Sequence, residues 1–245
     1  MQTFSPRAGV TIAYNRTPGT APGIMFLGGF RSDMTGIKAM FLEEQARARG
    51  QACLRFDYTG HGGSSGKFED ATVGAWLQDT LDAFDTQTEG PQIVVGSSLG
   101  GWLALLLAVR RPERVKGLVL LAAAPDFTVD LLRMFSPPEK ALLRQNGLTY
   151  RPNAYGSPHP FTQALFEDAD KYLVLTGPIP VQCPVRLIHG KKDIDVPWQK
   201  TVQTREKLPA ENVEIIWVED GDHRLGRPQD LALIDKTVMG LAAMA

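Results

Sequence analysis

The segment Gly96–Gly100 (GSSLG) matches the pattern G-x-S-x-G, which can present the Ser98 hydroxyl as a nucleophile. The pattern alone is weak, because Gly and Ser are common enough to produce it in about one chain in ten of this length. Its context is stronger, since residues 92–95 are typical of a buried strand and residues 99–109 of an apolar helix. Glycines at both ends would relieve crowding in such a sharp turn. The alternative is that Ser98 only caps the helix.

A serine hydroxyl needs a base to remove its proton, and the chain has four histidines. His223 lies in a polar turn that follows the predicted strand 213–218. In a doubly wound sheet this turn opens at the same edge as Ser98, so we expect His223 to be the base. The other histidines have other expected roles: loop fixing for His61, hydrogen bonding within a loop for His189, and a position between two prolines for His159.

A carboxylate that holds the histidine tautomer is expected directly after a predicted buried strand, where Asp193 and Asp195 occur. Asp193 is favoured, because Asp195 is placed to cap the helix that begins near Pro197. Asp222, next to His223, is expected to cap or position its own loop. The resulting chain order of serine, aspartate and histidine suits a nucleophile on a strand-to-helix turn.

The negative charge that develops on a substrate carbonyl oxygen requires two N–H donors. The residue after the nucleophile, Leu99, is expected to supply one of them. The second is expected from the loop after the strand 24–27, which reads Gly28-Gly29-Phe30. The sequence therefore predicts an oxyanion hole formed by the backbone N–H groups of Phe30 and Leu99.

These residues need a scaffold, and short buried strands alternate with amphipathic helices along most of the chain. Such alternation predicts an α/β protein with a mostly parallel sheet and helices on both faces. The alternation breaks at about 126–180, a stretch with aromatic side chains and three predicted short helices. We expect a single domain over 1–245 with a small helical cap insertion at about 126–180. Strands are predicted at 10–14, 24–27, 52–57, 92–95, 116–121, 185–188 and 213–218.

The composition is that of an ordinary globular protein, with 245 residues, 43% hydrophobic and 22% charged. A net charge of −1 argues against nucleic-acid binding, and no apolar run approaches the ~20 residues of a membrane span. Met1–Asn15 has neither the apolar region typical of a secretory signal nor the Arg- and Ser-rich amphipathic character typical of a transit peptide. Cys53 and Cys183 have no metal-ligand spacing and are expected to be free thiols. We therefore expect a cytoplasmic protein without metal or cofactor.

Longer blocks of sequence resemble the α/β-hydrolase superfamily almost from end to end. They include LRFDY at 54–58, PQIVVGSSLGGW at 91–102, VRLIHG at 185–190, VPW at 196–198 and DHR at 222–224. The resemblance implies the α/β-hydrolase fold and a serine hydrolase whose nucleophile, acid and base match Ser98, Asp193 and His223. It is greatest to a branch that contains acyl-protein thioesterases and acyl-glucuronide esterases. The segment 126–180 carries the least resemblance.

The expected activity is cofactor-independent cleavage of thioesters or carboxylic esters through an acyl-Ser98 intermediate. The substrate is expected to be a small molecule or an acylated protein with an apolar acyl group. One alternative is a carboxylesterase for acyl-glucuronides or small acyl esters. Others are a carbon–carbon hydrolase, a peptidase and a catalytically silent ligand-binding protein. Five side chains of the insertion predict an apolar acyl pocket, unless they only pack on the sheet: Phe127, Met134, Phe135, Phe161 and Phe166.

Overall fold

The computed structural model describes residues 1–153 and 156–245, without the side chains of 153, 156, 157 and 210. Eight described strands form one sheet. They are Gln2–Arg7 (β1), Val10–Thr17 (β2), Thr20–Leu27 (β3), Gln51–Phe56 (β4), Gln92–Ser97 (β5), Val115–Leu121 (β6), Val185–Gly190 (β9) and Val213–Val218 (β10). Two more form an antiparallel hairpin, Leu148–Asn153 (β7) and Gly156–Thr162 (β8).

The strand order of the large sheet is β1-β2-β4-β3-β5-β6-β9-β10. The strands from β4 to β10 in this order are mutually parallel, and β2 is antiparallel to both of its neighbours. The predicted mostly parallel sheet is therefore confirmed. Strand β4 lies on one side of β3, and the next strand in the chain, β5, lies on the other side. The direction in which the chain adds strands to the sheet therefore reverses between β3 and β5. Ligands bind outside the carboxyl ends of the strands at such a point.

Helices cover both faces of the sheet. They are Ile37–Ala48 (α1), Val73–Gln87 (α2), Leu99–Arg110 (α3), Phe127–Met134 (α4), Pro137–Asn146 (α5), Gln163–Ala169 (α6), Gln199–Lys207 (α7) and Pro228–Ala242 (α8). Side chains of β3 alternate between the faces: Ile24 and Phe26 pack with α1 and α8, while Met25 and Leu27 pack with α2 and α3. None of the described helices has the length and apolar character needed to cross a membrane.

The chain between β6 and β9 contains α4, α5, the β7–β8 hairpin and α6. Asp126, just before α4, links the start of this segment to the part that follows α6. Its carboxylate accepts the backbone N–H groups of Val174 (2.9 Å) and Leu175 (2.8 Å). Three helices were predicted here, whereas the hairpin was not. Strand β1 was not predicted either, because half of its six residues are exposed and its sequence lacks an apolar alternation.

Candidate active site

Ser98 lies at the turn between β5 and α3 with φ 54° and ψ −116°, a strained conformation for a residue other than glycine. Its backbone N–H donates to the Leu121 carbonyl (2.9 Å), and its carbonyl accepts the N–H groups of Gly101 (2.9 Å) and Ala124 (3.0 Å). These bonds fix the turn against the end of β6. The Ser98 side chain makes no capping hydrogen bond to α3, so the geometry does not support a helix-cap role.

The two glycines of the pentapeptide lie where the backbone segments approach most closely. A Cβ atom at Gly96 would lie 2.3 Å from the Gly100 carbonyl oxygen. A Cβ atom at Gly100 would lie 2.2 Å from the Leu27 carbonyl oxygen at the end of β3. Both separations are too short for a real Cβ contact, so only glycine allows α3 to start this close to β3 and β5.

Replacing Gly100 with alanine is therefore expected to destabilise the protein by about 3 kcal/mol, since backbone atoms must move apart. Gly240 offers a matched control inside α8, because no atom lies within 4 Å of its added Cβ. Gly240→Ala is expected to stabilise the protein by about 0.5–1 kcal/mol through helix propensity. Urea denaturation followed by circular dichroism measures both changes. A Gly100→Ala protein as stable as the wild type would contradict this tight approach.

His223 and Asp193, which are far apart in the sequence, form a direct hydrogen bond. His223 Nδ1 lies 2.7 Å from Asp193 Oδ2. The other carboxylate oxygen of Asp193 accepts the backbone N–H groups of Asp195 (2.9 Å) and Val196 (2.8 Å). Burial alone would raise the pKa of Asp193, but hydrogen bonds from His189 and His223 hold that pKa well below its usual range. Asp193 therefore remains ionised, and its carboxylate engages Nδ1 of the His223 ring.

The loops that carry Asp193 and His223 are held together by backbone contacts. The N–H of Lys191 donates to the Val218 carbonyl and that of Lys192 to the Gly221 carbonyl, both at 2.9 Å. A Cβ atom at Gly190 would lie 2.3 Å from the Gly221 carbonyl oxygen, so the close approach requires glycine at this position. The geometry of the Asp193–His223 pair is thus set by the ends of two neighbouring parallel strands.

The other candidate residues in these two loops have different partners. Asp222 accepts the N–H groups of Arg224 (3.0 Å) and Leu225 (3.1 Å), the loop-positioning role predicted for it. His189 is fully buried, and its ring nitrogens contact Thr201 Oγ1 (2.7 Å) and the Val196 carbonyl (3.0 Å). His189 Nε2 also lies 3.2 Å from Asp193 Oδ2, so this ring supports the carboxylate from the core side.

His61 has the loop-fixing role predicted for it. Burial lowers the pKa of His61 to about 4, so the ring is neutral near pH 7. Its Nε2 accepts the backbone N–H of Arg31 at 3.1 Å, and Nδ1 lies 3.3 Å from the Thr59 carbonyl. Because Arg31 follows Phe30, this bond positions the loop after β3.

The loop after β3 lies against the nucleophile turn. A Cβ atom at Gly29 would be in ordinary contact with the Ser98 Cβ atom, at 3.5 Å. The Phe30 ring stacks on Phe161 with centroids 5.4 Å apart and planes 7° apart, and it also makes edge contacts with Phe68, Trp76 and Phe127. Leu99 is the first residue of α3, a position whose N–H has no acceptor within its own helix. The structure therefore brings both predicted donor residues beside Ser98.

A cavity of about 460 Å³ contains Ser98, His223, Phe30 and Leu99 in its wall. Its apolar lining consists mainly of Phe127, Leu131, Met134, Phe161, Ile194 and Val196. Of the five predicted pocket side chains, Phe127, Met134 and Phe161 line it, whereas Phe135 and Phe166 pack edge to face in the core. Leu131, Ile194 and Val196 were missed, although the last two flank Asp195 in the sequence.

Asp193, Asp195 and His223 are also a possible ligand set for a metal ion. One ligand atom from each lies within 4.8 Å of the others. Asp193 Oδ2 is already bonded to His223 Nδ1, and Asp193 Oδ1 accepts two backbone N–H groups. An ion bound to all three would have to replace some of these bonds.

The fold and this site define the class of protein. The chain matches the Alpha/beta hydrolase family over residues 24–232, and it belongs to that family. It is 40% identical over 229 residues to the mouse (Mus musculus) palmitoyl-protein thioesterase ABHD10. These aligned residues make up 93% of this chain and 77% of the relative. The human (Homo sapiens) ABHD10 is 38% identical over 229 residues, 93% of this chain and 75% of the relative.

A solved structure gives the same result. The alpha/beta hydrolase domain-containing protein 10 from mouse superposes with a TM-score of 0.92 and 38% identity, covering 99% of this chain and 98% of that chain. The predicted α/β-hydrolase fold and the resemblance drawn from the sequence blocks are therefore confirmed, and the chain is a hydrolase.

The expectation of a cytoplasmic protein is wrong. The mouse and human relatives are both named as mitochondrial proteins. The expectation depended on the two cysteines and on the residue types of Met1–Asn15, which are typical neither of a secretory signal nor of a transit peptide. Both features are compatible with other compartments, so they could not identify the cytoplasm.

Proposed function

We propose that the protein is a serine hydrolase that cleaves thioesters of long-chain acyl groups, including acyl groups carried by proteins. The observation that carries the proposal is the 2.7 Å bond between His223 Nδ1 and Asp193 Oδ2, with His223 in the wall of the same cavity as the strained Ser98. The names of the relatives, palmitoyl-protein thioesterase in each case, support the thioester class. Ser98 is the nucleophile, His223 the base and Asp193 the acid of a catalytic triad.

In the first step Ser98 Oγ attacks the thioester carbonyl carbon while His223 Nε2 takes the Oγ proton. Asp193 keeps the other ring proton on Nδ1 and stabilises the imidazolium. Collapse of the tetrahedral intermediate breaks the carbon–sulfur bond, and the imidazolium gives its proton to the leaving sulfur. The products of this step are a free thiol and acyl-Ser98.

The negative charge of each tetrahedral intermediate lies on the former carbonyl oxygen. The backbone N–H groups of Phe30 and Leu99 donate to it, and the N-terminus of α3 adds a favourable dipole. Loss of one such donor typically costs about 3 kcal/mol of transition-state stabilisation. The bond from Arg31 to His61 and the ring contacts of Phe30 hold the first donor in place.

In the second step a water molecule attacks the acyl-Ser98 carbonyl carbon and gives one proton to His223 Nε2. The second tetrahedral intermediate then breaks the bond from carbon to Ser98 Oγ, and His223 returns the proton to Oγ. The released product is a carboxylic acid, and the enzyme regains its starting state. No group from outside the chain other than water is required for this cycle.

Residues 126–180 form a cap insertion on a single domain that spans 1–245. Support comes from the contribution of α4 and β8 to the cavity wall through Phe127, Leu131 and Phe161. A pocket of about 460 Å³ with this lining suits an apolar acyl chain, since ligand pockets of roughly 300–1,000 Å³ bury most of a bound molecule. The partner in the reaction is therefore a small or protein-borne acyl thioester.

The pocket predicts a strong dependence on acyl length. Each methylene that enters the pocket stabilises the bound transition state by about 0.8 kcal/mol through burial of apolar surface. The value of kcat/KM is therefore expected to rise about fourfold per methylene until the pocket is full. A series of thioesters of one thiol, from acetyl to palmitoyl, measures this by thiol release. Phe161→Ala should flatten the rise for the longer chains, because Phe161 lines the cavity. A flat response of the wild type from acetyl to palmitoyl would contradict long-acyl specificity.

The relatives do not favour the alternative of a carboxylesterase for acyl-glucuronides or small acyl esters. A panel of thioesters, oxygen esters and acyl-glucuronides with one common acyl group separates the two activities. The thioester is expected to have the highest kcat/KM. A catalytically silent protein would hydrolyse none of them.

A further inference from the structure

A second cavity, of about 360 Å³, adjoins Ser98 and His223 on the side of α1. It shares Phe30, Ser98 and His223 with the first cavity. The rest of its wall combines small and polar residues with two cationic and three apolar ones: Gly29, Ser32, Gly36, Ser97, Lys38, Arg224, Phe26, Ile37 and Ala39. Among the residues that the structure describes, no carboxylate side chain lines it. The first cavity also has a lysine in its wall, Lys200, but this lysine is ion-paired with Asp130 in the same wall. The reacting centre thus lies between a largely apolar space and a smaller space that has cationic residues and no carboxylate among its described lining residues.

The wall of the second cavity has two cationic residues, Arg224 and Lys38. Lys38 is held against the loop of His223. Its Nζ donates to the Arg224 carbonyl, one residue after His223. An ammonium has three N–H donors, so two remain for other acceptors. Burial lowers the pKa of Lys38 to about 8, although the charge of Asp222 raises this pKa. Because the pKa lies above 7, the side chain is mostly protonated near pH 7.

The proposed thioesterase reaction needs two spaces beside Ser98. The acyl chain occupies the apolar cavity, and the thiol must leave on a different path from the same carbon atom. The leaving sulfur must also reach His223, which returns its proton. The second cavity adjoins both Ser98 and His223, so it meets both requirements.

We infer that the second cavity binds the leaving-group half of the substrate, and that the Lys38 ammonium recognises a carboxylate on it. This inference rests on the proposed function. The carboxylate belongs either to a small acidic thiol or to an acidic residue beside an S-acylated cysteine, and in both cases the Lys38 ammonium recognises the same chemical group. Lys38 is thus a specificity-determining residue.

The test uses two matched octanoyl thioesters, one of 3-mercaptopropionate and one of 3-mercaptopropionamide. The measured quantity is the ratio of their kcat/KM values. We expect the wild type to prefer the carboxylate about tenfold, the effect of one hydrogen bond to a charged group. Lys38→Met should lower the ratio to the smaller preference that Arg224 alone gives, whereas Lys38→Arg should retain the wild-type preference. Lys116→Met, an exposed lysine near the start of β6, is the matched control and should retain the wild-type ratio.

A second arm uses S-octanoyl peptides that contain Cys-Glu or Cys-Gln. A Lys38-dependent preference in either arm supports the inference and identifies the source of the carboxylate. Equal rates in both arms by an active wild type would overturn it. So would a Lys38→Met protein that loses rate on all substrates with an unchanged ratio, because this is the result of a purely structural role. A wild type that hydrolyses none of the thioesters would contradict the proposed function itself, and the inference would fall with it.

Discussion

Replacing Ser98 with alanine is expected to lower kcat for thioester hydrolysis by about 10⁵- to 10⁶-fold. The change removes the atom that forms the acyl-enzyme, while the strained backbone of the turn remains supported by the bonds to Leu121, Gly101 and Ala124. The residual rate reflects substrate binding and the oxyanion donors. Steady-state release of the thiol measures the loss, and near-ultraviolet circular dichroism checks that the variant is folded.

The same account predicts that the losses at Ser98 and His223 are not additive. His223→Ala should lose about as much as Ser98→Ala, because the hydroxyl is a poor nucleophile without its base. The double variant should be no slower than either single variant. A double variant whose loss equals the product of the two single losses would show that the residues act independently. That result would contradict a triad.

Replacing Asp193 with asparagine is expected to lower kcat about 10⁴-fold. Asparagine has nearly the same shape, but its NH₂ group cannot accept the proton of His223 Nδ1 and its carbonyl carries no charge to stabilise the imidazolium. The ring would then be held in the wrong tautomer. Since hydrogen bonds hold the pKa of Asp193 far below its usual range, the wild-type carboxylate is ionised throughout the pH range of the assay.

Asp195→Asn is the matched comparison, because it makes the same chemical change two residues away in the same loop. The backbone N–H of Asp195 donates to Asp193 Oδ1, and the substitution leaves this bond in place. We expect a loss of less than about tenfold, in the range of a residue that lines the pocket without taking part in the reaction. Equal losses for the two variants, or a larger loss for Asp195→Asn, would contradict the assignment of Asp193 as the acid.

Much of the scaffold could be predicted from the sequence, because local patterns determine it. Buried strands with β-branched residues and amphipathic helices gave the sheet architecture, and the glycines at 96 and 100 indicated the sharp turn at Ser98. The choice of Asp193 over Asp195 came from a capping argument. In the structure Asp193 lies directly opposite His223, because the loops after β9 and β10 are joined through Gly190 and Gly221.

Features that depend on packing between distant segments could not be predicted. The cavity wall combines α4, β8 and the loop after β9, so Leu131, Ile194 and Val196 have no common sequence pattern. Lys38 acquires its surroundings from the loop of Arg224, which is 186 residues away in the chain. The position of Phe135 and Phe166 in the core rather than the pocket follows from ring packing, which periodicity does not encode.

The proposed mechanism depends on a covalent acyl-enzyme at Ser98. A fluorophosphonate probe tests it most directly, because such a probe reacts with an activated serine and can be located by peptide mass spectrometry. We expect one modified residue, Ser98, in the wild type, no labelling of Ser98→Ala, and strongly slowed labelling of His223→Ala. Labelling of Ser98→Ala at the wild-type rate, or a wild type that does not react, would contradict the assignment of this protein as a serine hydrolase.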